Sequence, residues 1–150
     1  MNKIIVLGSI LGIFLLCGCS TPPGIVGTIP KIDNDYATVY IVGKAAYKES
    51  DSEDKLVSFL IKLDDKDFIR IAYGMKTSFK IPVGTQTKIS SVSSGISDHH
   101  YLDPKKGEKI YLEMDCHGFL GGCWFSALSK IEYDQIARRC KETLVIEQEK

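Results

Sequence analysis

The sequence predicts a mainly β protein, an antiparallel β-sandwich of about seven strands with one short C-terminal helix. Three observations predict it. Apolar and polar residues alternate with period two over short stretches, the periodicity of a half-buried strand. Turn-forming residues separate those stretches at close spacing, as in a sandwich. Strand-like and helix-like stretches do not alternate along the chain, which argues against a parallel sheet.

Each element follows from its residues. Tyr36-Ala37-Thr38-Val39-Tyr40-Ile41-Val42 is the first strand, ended by Gly43. Lys44 to Lys55 carries Glu49, Asp51, Glu53 and Asp54 and has no apolar face after Tyr47, so an exposed loop is expected. Leu56 to Leu63 and Phe68 to Ala72 are the second and third strands, a hairpin turning at Asp64-Asp65-Lys66-Asp67. Tyr73-Gly74-Met75 turns into Thr77 to Ile81, where Ser78 and Lys80 fall on one face and Phe79 and Ile81 on the other. Pro82-Val83-Gly84 ends that ladder, because Pro has no amide hydrogen to donate. Thr85 to Val92 alternates again, with Ile89 and Val92 as its apolar members. Ser93 to Lys106 is polar and rich in Gly and Ser, and is read as a loop exposing His99 and His100. Lys109 to Cys116 aligns Ile110, Leu112 and Met114, and Cys123 to Leu128 is the last clear strand. From Ile131 to Lys141 the period lengthens. Ile131, Tyr133, Ile136, Ala137 and Cys140 form the apolar side of a short helix with Asp134 near its start. Thr143 to Ile146 is a final strand or a loose tail.

The N-terminus carries a different message. Lys3 is a positive n-region, Ile4 to Leu16 an apolar h-region, and small residues precede a cut. The h-region is shorter than the about 20 apolar residues that cross a bilayer. Leu16-Cys17-Gly18-Cys19 resembles a lipobox, the processing signal of bacterial lipoproteins. The resemblance implies cleavage after Gly18 and a triacylated Cys19, so that residues 1–18 are a lipoprotein signal peptide. Several acyl chains anchor firmly, at about 0.8 kcal/mol per buried methylene. Ser20 does not match the Asp that retains lipoproteins in the inner membrane of Gram-negative bacteria. The outer membrane facing the periplasm is therefore the expected address in such a host. Residues 19–34, rich in Pro and Gly, read as the lipidated Cys and a flexible tether that lifts a domain over 35–150 off the lipid.

Composition excludes some partners. The chain has 19 basic and 19 acidic residues, and losing Lys3 with the signal peptide leaves a formal charge of −1. No basic excess exists to drive nucleic-acid binding. Nor does a polybasic patch stand beside the anchor.

Ala37-Thr38-Val39-Tyr40-Ile41, Ile81-Pro82-Val83-Gly84 and Lys106-Gly107-Glu108-Lys109-Ile110-Tyr111-Leu112 occur in the order found in an uncharacterised bacterial lipoprotein family with a prealbumin-like β-sandwich. The mature chain resembles that family, which is known only as a domain of unknown function. It departs from the pattern at Val42-Gly43-Lys44, where the family commonly has Arg-Pro, and around Cys116 and Cys123. The resemblance implies a fold and a location, and no site residues or cofactor.

Candidate chemistry gathers at the cysteines. Cys116 and Cys123 flank His117-Gly118-Phe119-Leu120-Gly121-Gly122, a Gly-rich connection that can bring the two sulfurs together in an oxidising compartment. Closing so short a loop stabilises by about 2.5 kcal/mol in the chain-entropy model. Cys140 pairing with either strand, or between chains, is the other arrangement. A rival reading takes Cys116, His117 and Cys123, with His99 or His100, as a metal or thiol site. Against it, adjacent residues of a strand point to opposite faces, and the spacing is not that of a Cys-x-x-Cys pair. Phe119, Trp124 and Phe125 read mainly as core, and otherwise as an aromatic patch for a partner. The resulting expectation is a lipid-anchored cell-envelope lipoprotein, not an enzyme, whose sandwich binds a partner or serves a structural role. It meets membrane lipid through acylated Cys19 and an envelope protein through the domain. The alternative is a thiol- or metal-dependent periplasmic protein using Cys116, His117 and Cys123.

Overall fold

Alternation becomes burial in two facing sheets. The computed structural model describes residues 22–32, 35–43, 58–93, 96–116, 123–140 and 142–148. Among them are ten strands, β1 (Gly24–Ile25), β2 (Tyr36–Gly43), β3 (Ser58–Leu63), β4 (Lys66–Ala72), β5 (Met75–Pro82), β6 (Thr87–Ser93), β7 (Ile96–Leu102), β8 (Lys109–Cys116), β9 (Cys123–Ala127) and β10 (Glu142–Val145). One helix, α1 (Lys130–Ala137), lies between β9 and β10. The first sheet runs β1-β4-β3-β6-β7 and the second β10-β5-β2-β8-β9. This is the mainly β sandwich with one short helix that the sequence predicts.

The core lies between the sheets. Ala37, Val39 and Ile41 of β2, Phe59, Ile61 and Leu63 of β3, Phe79 and Ile81 of β5, and Leu112 and Met114 of β8 all bury every second side chain there. Phe68 and Phe79 meet edge to face across the sheets, with ring centroids 4.8 Å apart. Each such fully buried apolar side chain contributes about 1.5–3 kcal/mol. Between Ile61 and Lys62 the β3–β4 register shifts, so Phe68 is an extra residue in β4. The bulge lets Phe68 and Ile69 both be buried, which strict alternation forbids.

The hairpin at Asp64-Asp65 forms as expected. Both residues have positive φ, 49° and 64°, as a two-residue turn matched to strand twist requires. The Asp64 carboxylate accepts from the Lys88 amide at 2.9 Å, tying the turn to β6. Helix α1 begins at a capping box. The Glu132 amide donates to Ser129 Oγ, and the Glu132 carboxylate accepts from the Ser129 amide.

Four features differ from the sequence reading. The stretch 96–102, read within a loop, is strand β7, paired with β6 from Thr87↔Leu102 to Ser93↔Ile96. It is an edge strand with Leu102 buried and His99 and Tyr101 exposed, so its polar sequence carries little alternation. The supposed tether is partly docked. Gly24 and Ile25 pair with Arg70 and Ile69, the amides of Val26 and Gly27 donate to the Phe68 carbonyl, and Ile32 is buried. Two of the eight strand pairs, β2–β8 and β10–β5, are parallel. Neither pair is consecutive in the chain: β3 to β7 lie between β2 and β8, and β6 to β9 with α1 lie between β5 and β10. Helix α1 ends at Ala137, and Ile131, placed on its apolar side by the periodicity, is exposed.

Candidate functional site

Residues 1–18, Cys19, the acidic loop Lys44 to Lys55, His117 and Phe119 lie outside the described residues. The described chain begins at Pro22, three positions after Cys19 and two before β1.

The hairpin of β8 and β9 sets Met114 opposite Phe125, Asp115 opposite Trp124 and Cys116 opposite Cys123. Directly opposed residues of antiparallel strands project to one face with Cβ atoms about 4.5–5.5 Å apart, near the separation a disulfide needs. Cys123 is fully buried, and its sulfur is disulfide-bonded. A sulfur so committed offers neither a nucleophile nor a metal ligand. Ser91 Oγ donates to the Cys123 carbonyl at 2.8 Å, so the first sheet grips the second at this strand.

Trp124 and Phe125 separate as strand neighbours must. Phe125 is 7 % exposed and packs in the core, whereas Trp124 is 36 % exposed on the outer face. Phe125 therefore takes the core place that the sequence gives it first, and it is not available to a partner on the face of Trp124. Among the described residues, no three His, Cys, Asp or Glu side chains gather as metal ligands. His99 and His100 point to opposite faces of β7, and His99 meets the Tyr101 ring edge-on at 5.4 Å.

Cys140 is a free thiol. It follows α1, and its Sγ lies 3.6 Å from the Met75 carbonyl and 3.7 Å from that of Ile136. Burial pushes its pKa up against the opposing charge of Lys76. A thiol held protonated in this way is a poor nucleophile.

The sequence did not single out the surface beneath α1. Tyr40 and Tyr111 are neighbours in the parallel β2–β8 register and stack at 5.1 Å on the outer face of the second sheet. Tyr133 of α1 closes on both, at 5.7 Å from Tyr40 and 5.1 Å from Tyr111. Burial raises the Tyr133 phenol to about 12. Beside this cluster lies a groove of about 360 Å³ lined by Tyr40, Lys76, Ser78, Tyr133, Arg138 and Thr143 among others. Lys76 Nζ donates to the Ala137 carbonyl at the end of α1. Lys76 and Arg138, the Asp134 carboxylate and several hydroxyls give the groove the means to hold a small polar molecule by hydrogen bonds. The available signal was a tyrosine on the outward face of each of two strands and a third on the helix that follows them.

A second concave surface lies at the edge shared by β1 and β10. Ile25, Ile29, Pro30, Lys31, Val145 and Glu147 line a groove of about 530 Å³ there. Comparison with protein-family models, with curated proteins and with solved structures finds no match to this chain in any of the three.

Proposed function

We propose that this chain is a lipid-anchored lipoprotein of the cell envelope whose sandwich acts by non-catalytic binding or structural support. The observation that carries the reading is Leu16-Cys17-Gly18-Cys19 closing a short apolar stretch that follows Lys3. A disulfide at Cys123 supports it, because such bonds persist outside the reducing cytosol. We take the partner of Cys123 to be Cys116, its neighbour across the ladder. The resemblance to the prealbumin-like lipoprotein family belongs to the same proposal. Its three motifs fall on β2, the end of β5 and β8, which are adjacent in one sheet. In a Gram-negative host the anchored protein resides in the outer membrane, facing the periplasm.

The test is metabolic labelling with an alkynyl palmitate analogue in bacteria producing the full chain. Label is expected in the wild-type protein and absent from Cys19→Ala, with the wild-type protein in the membrane fraction. Equal labelling of both proteins, or of neither, overturns the proposal.

A further inference from the structure

The described chain starts very close to the proposed anchor. Two residues, Ser20 and Thr21, lie between Cys19 and Pro22, and three Cα steps of at most about 3.3–3.6 Å each give a reach of roughly 10 Å. Had the domain begun at residue 35, sixteen residues would have allowed about 50 Å. Docking of Gly24–Ile25 on β4 and burial of Ile32 remove most of that slack.

The surface beside this junction is apolar. Ile25 is 48 % exposed, Val26 46 % and Val145 70 %. Ile25 and Val145 line one groove with Ile29 and Pro30. The remaining exposed large apolar residues of the described chain are Tyr101 on β7 and Trp124 on β9, at the edges of their sheets opposite β1 and β10, and Ile131 at the start of α1. Lys31 and Glu147 stand at the same groove, one charge of each sign, so no net charge opposes an anionic or zwitterionic surface.

We infer that the β1–β10 edge rests on the bilayer that holds Cys19, with Ile25, Val26 and Val145 at the boundary between headgroups and acyl chains. This inference depends on the proposed acylation. A short tether confines the domain to the membrane surface, and the apolar edge nearest the tether is the one that meets it. Side chains of this kind settle a few ångströms into that boundary, where the Lys31 stem can lie along apolar surface with its ammonium among phosphates. The β9 edge then faces away from the lipid. It is four strands from β10, about 19 Å at the usual spacing.

The single tryptophan makes the orientation measurable. Acylated full-length protein is purified and inserted into vesicles of phosphatidylethanolamine and phosphatidylglycerol, with or without brominated acyl chains. In the wild type, Trp124 on β9 reports the far edge. In the double variant Val145→Trp with Trp124→Phe, the indole reports the β10 edge, and Val26→Trp with Trp124→Phe does so from β1 should the first variant fold poorly. Brominated lipid is expected to quench at least half of the emission of either double variant and less than a tenth of that of the wild type. Equal quenching in all proteins, stronger quenching in the wild type, or no quenching with the edge crosslinked to a second copy overturns the inference. Intact mass of the same preparation separates the two proposals. Acyl chains present without selective quenching reject the edge orientation alone, whereas their absence rejects the anchor and the orientation with it.

Discussion

Tyr133 holds α1 to the sheet through its ring, which packs on those of Tyr40 and Tyr111. A phenolate there would lose water and face Cys140, Tyr40, Asp134 and Tyr111, so burial first and these neighbours second raise the pKa to about 12 from an ordinary 10. The folded state therefore binds this proton more tightly than the unfolded chain does. The stability this contributes is fully present below pH 10 and is lost as pH rises from 10 towards about 12. Denaturant midpoints measured across that range should fall with rising pH, and Tyr133→Phe should flatten the fall. At neutral pH the same substitution should change stability by no more than about 1 kcal/mol, because the ring stays and one weak hydrogen-bonding group goes. Such a residue was legible only in part. The change of period after Ser129 placed Tyr133 on a helix, but nothing in the periodicity said that two strand tyrosines distant in sequence would stand beneath it.

Gly27 shows how an element can be misread from composition. Pro22, Pro23, Gly24, Gly27 and Pro30 look like a linker, and linkers of that composition need no partners. In the structure Gly27 is there for proximity. A Cβ built on it would lie 1.6 Å from the Asp67 carbonyl oxygen, while its own amide donates to Phe68. Gly27→Ala must therefore push the segment off β4 or strain the bulge at Phe68. The expected cost is about 1–3 kcal/mol, as for other overpacked sites. Thermal denaturation should show the loss, and limited proteolysis should cut faster within residues 22–32. Unchanged melting and protection would mean that the segment contributes nothing to the domain. Strand β7 escaped for a related reason: Asp98-His99-His100-Tyr101 is polar because an edge strand has little to bury. Elements with a full inner face, such as β2 and β8, were read within a residue or two, since alternation states directly which side chains point inward.

Alternation does not state which strand lies beside which, and at the scale of the whole molecule that is what matters. The two sides of the sandwich differ. On one, β9 packs on β6 and β7, with Ser91 bonded to Cys123 and a disulfide at the same strand. On the other, the edges are the two-residue β1 and the four-residue β10, both added from segments that composition marked as a tether and a tail. Strand β10 nonetheless makes specific contacts. Thr77, buried in β5, donates its hydroxyl to the Leu144 carbonyl at 2.8 Å. Gln148 pairs its amide with both the amide and the carbonyl of Lys80, continuing the ladder with a side chain. Leu144 and Ile146 pack against the core. Ending the chain after Cys140 removes two partly buried apolar side chains, at about 1–2 kcal/mol each. It also leaves the Thr77 hydroxyl without its acceptor, at about 1–3 kcal/mol. A urea midpoint corresponding to a loss of about 3–7 kcal/mol is expected on those grounds. Gln148→Ala alone should cost about 1 kcal/mol, because Lys80 can then turn to water. The truncation also bares β5, an eight-residue strand with Met75, Phe79 and Ile81 on its inner face. A long unpaired edge of that kind seeks another strand, so sedimentation velocity should show concentration-dependent association of the truncated protein and none of Gln148→Ala. A monomer with an unshifted midpoint would mean that β10 merely lies against a sandwich already complete without it.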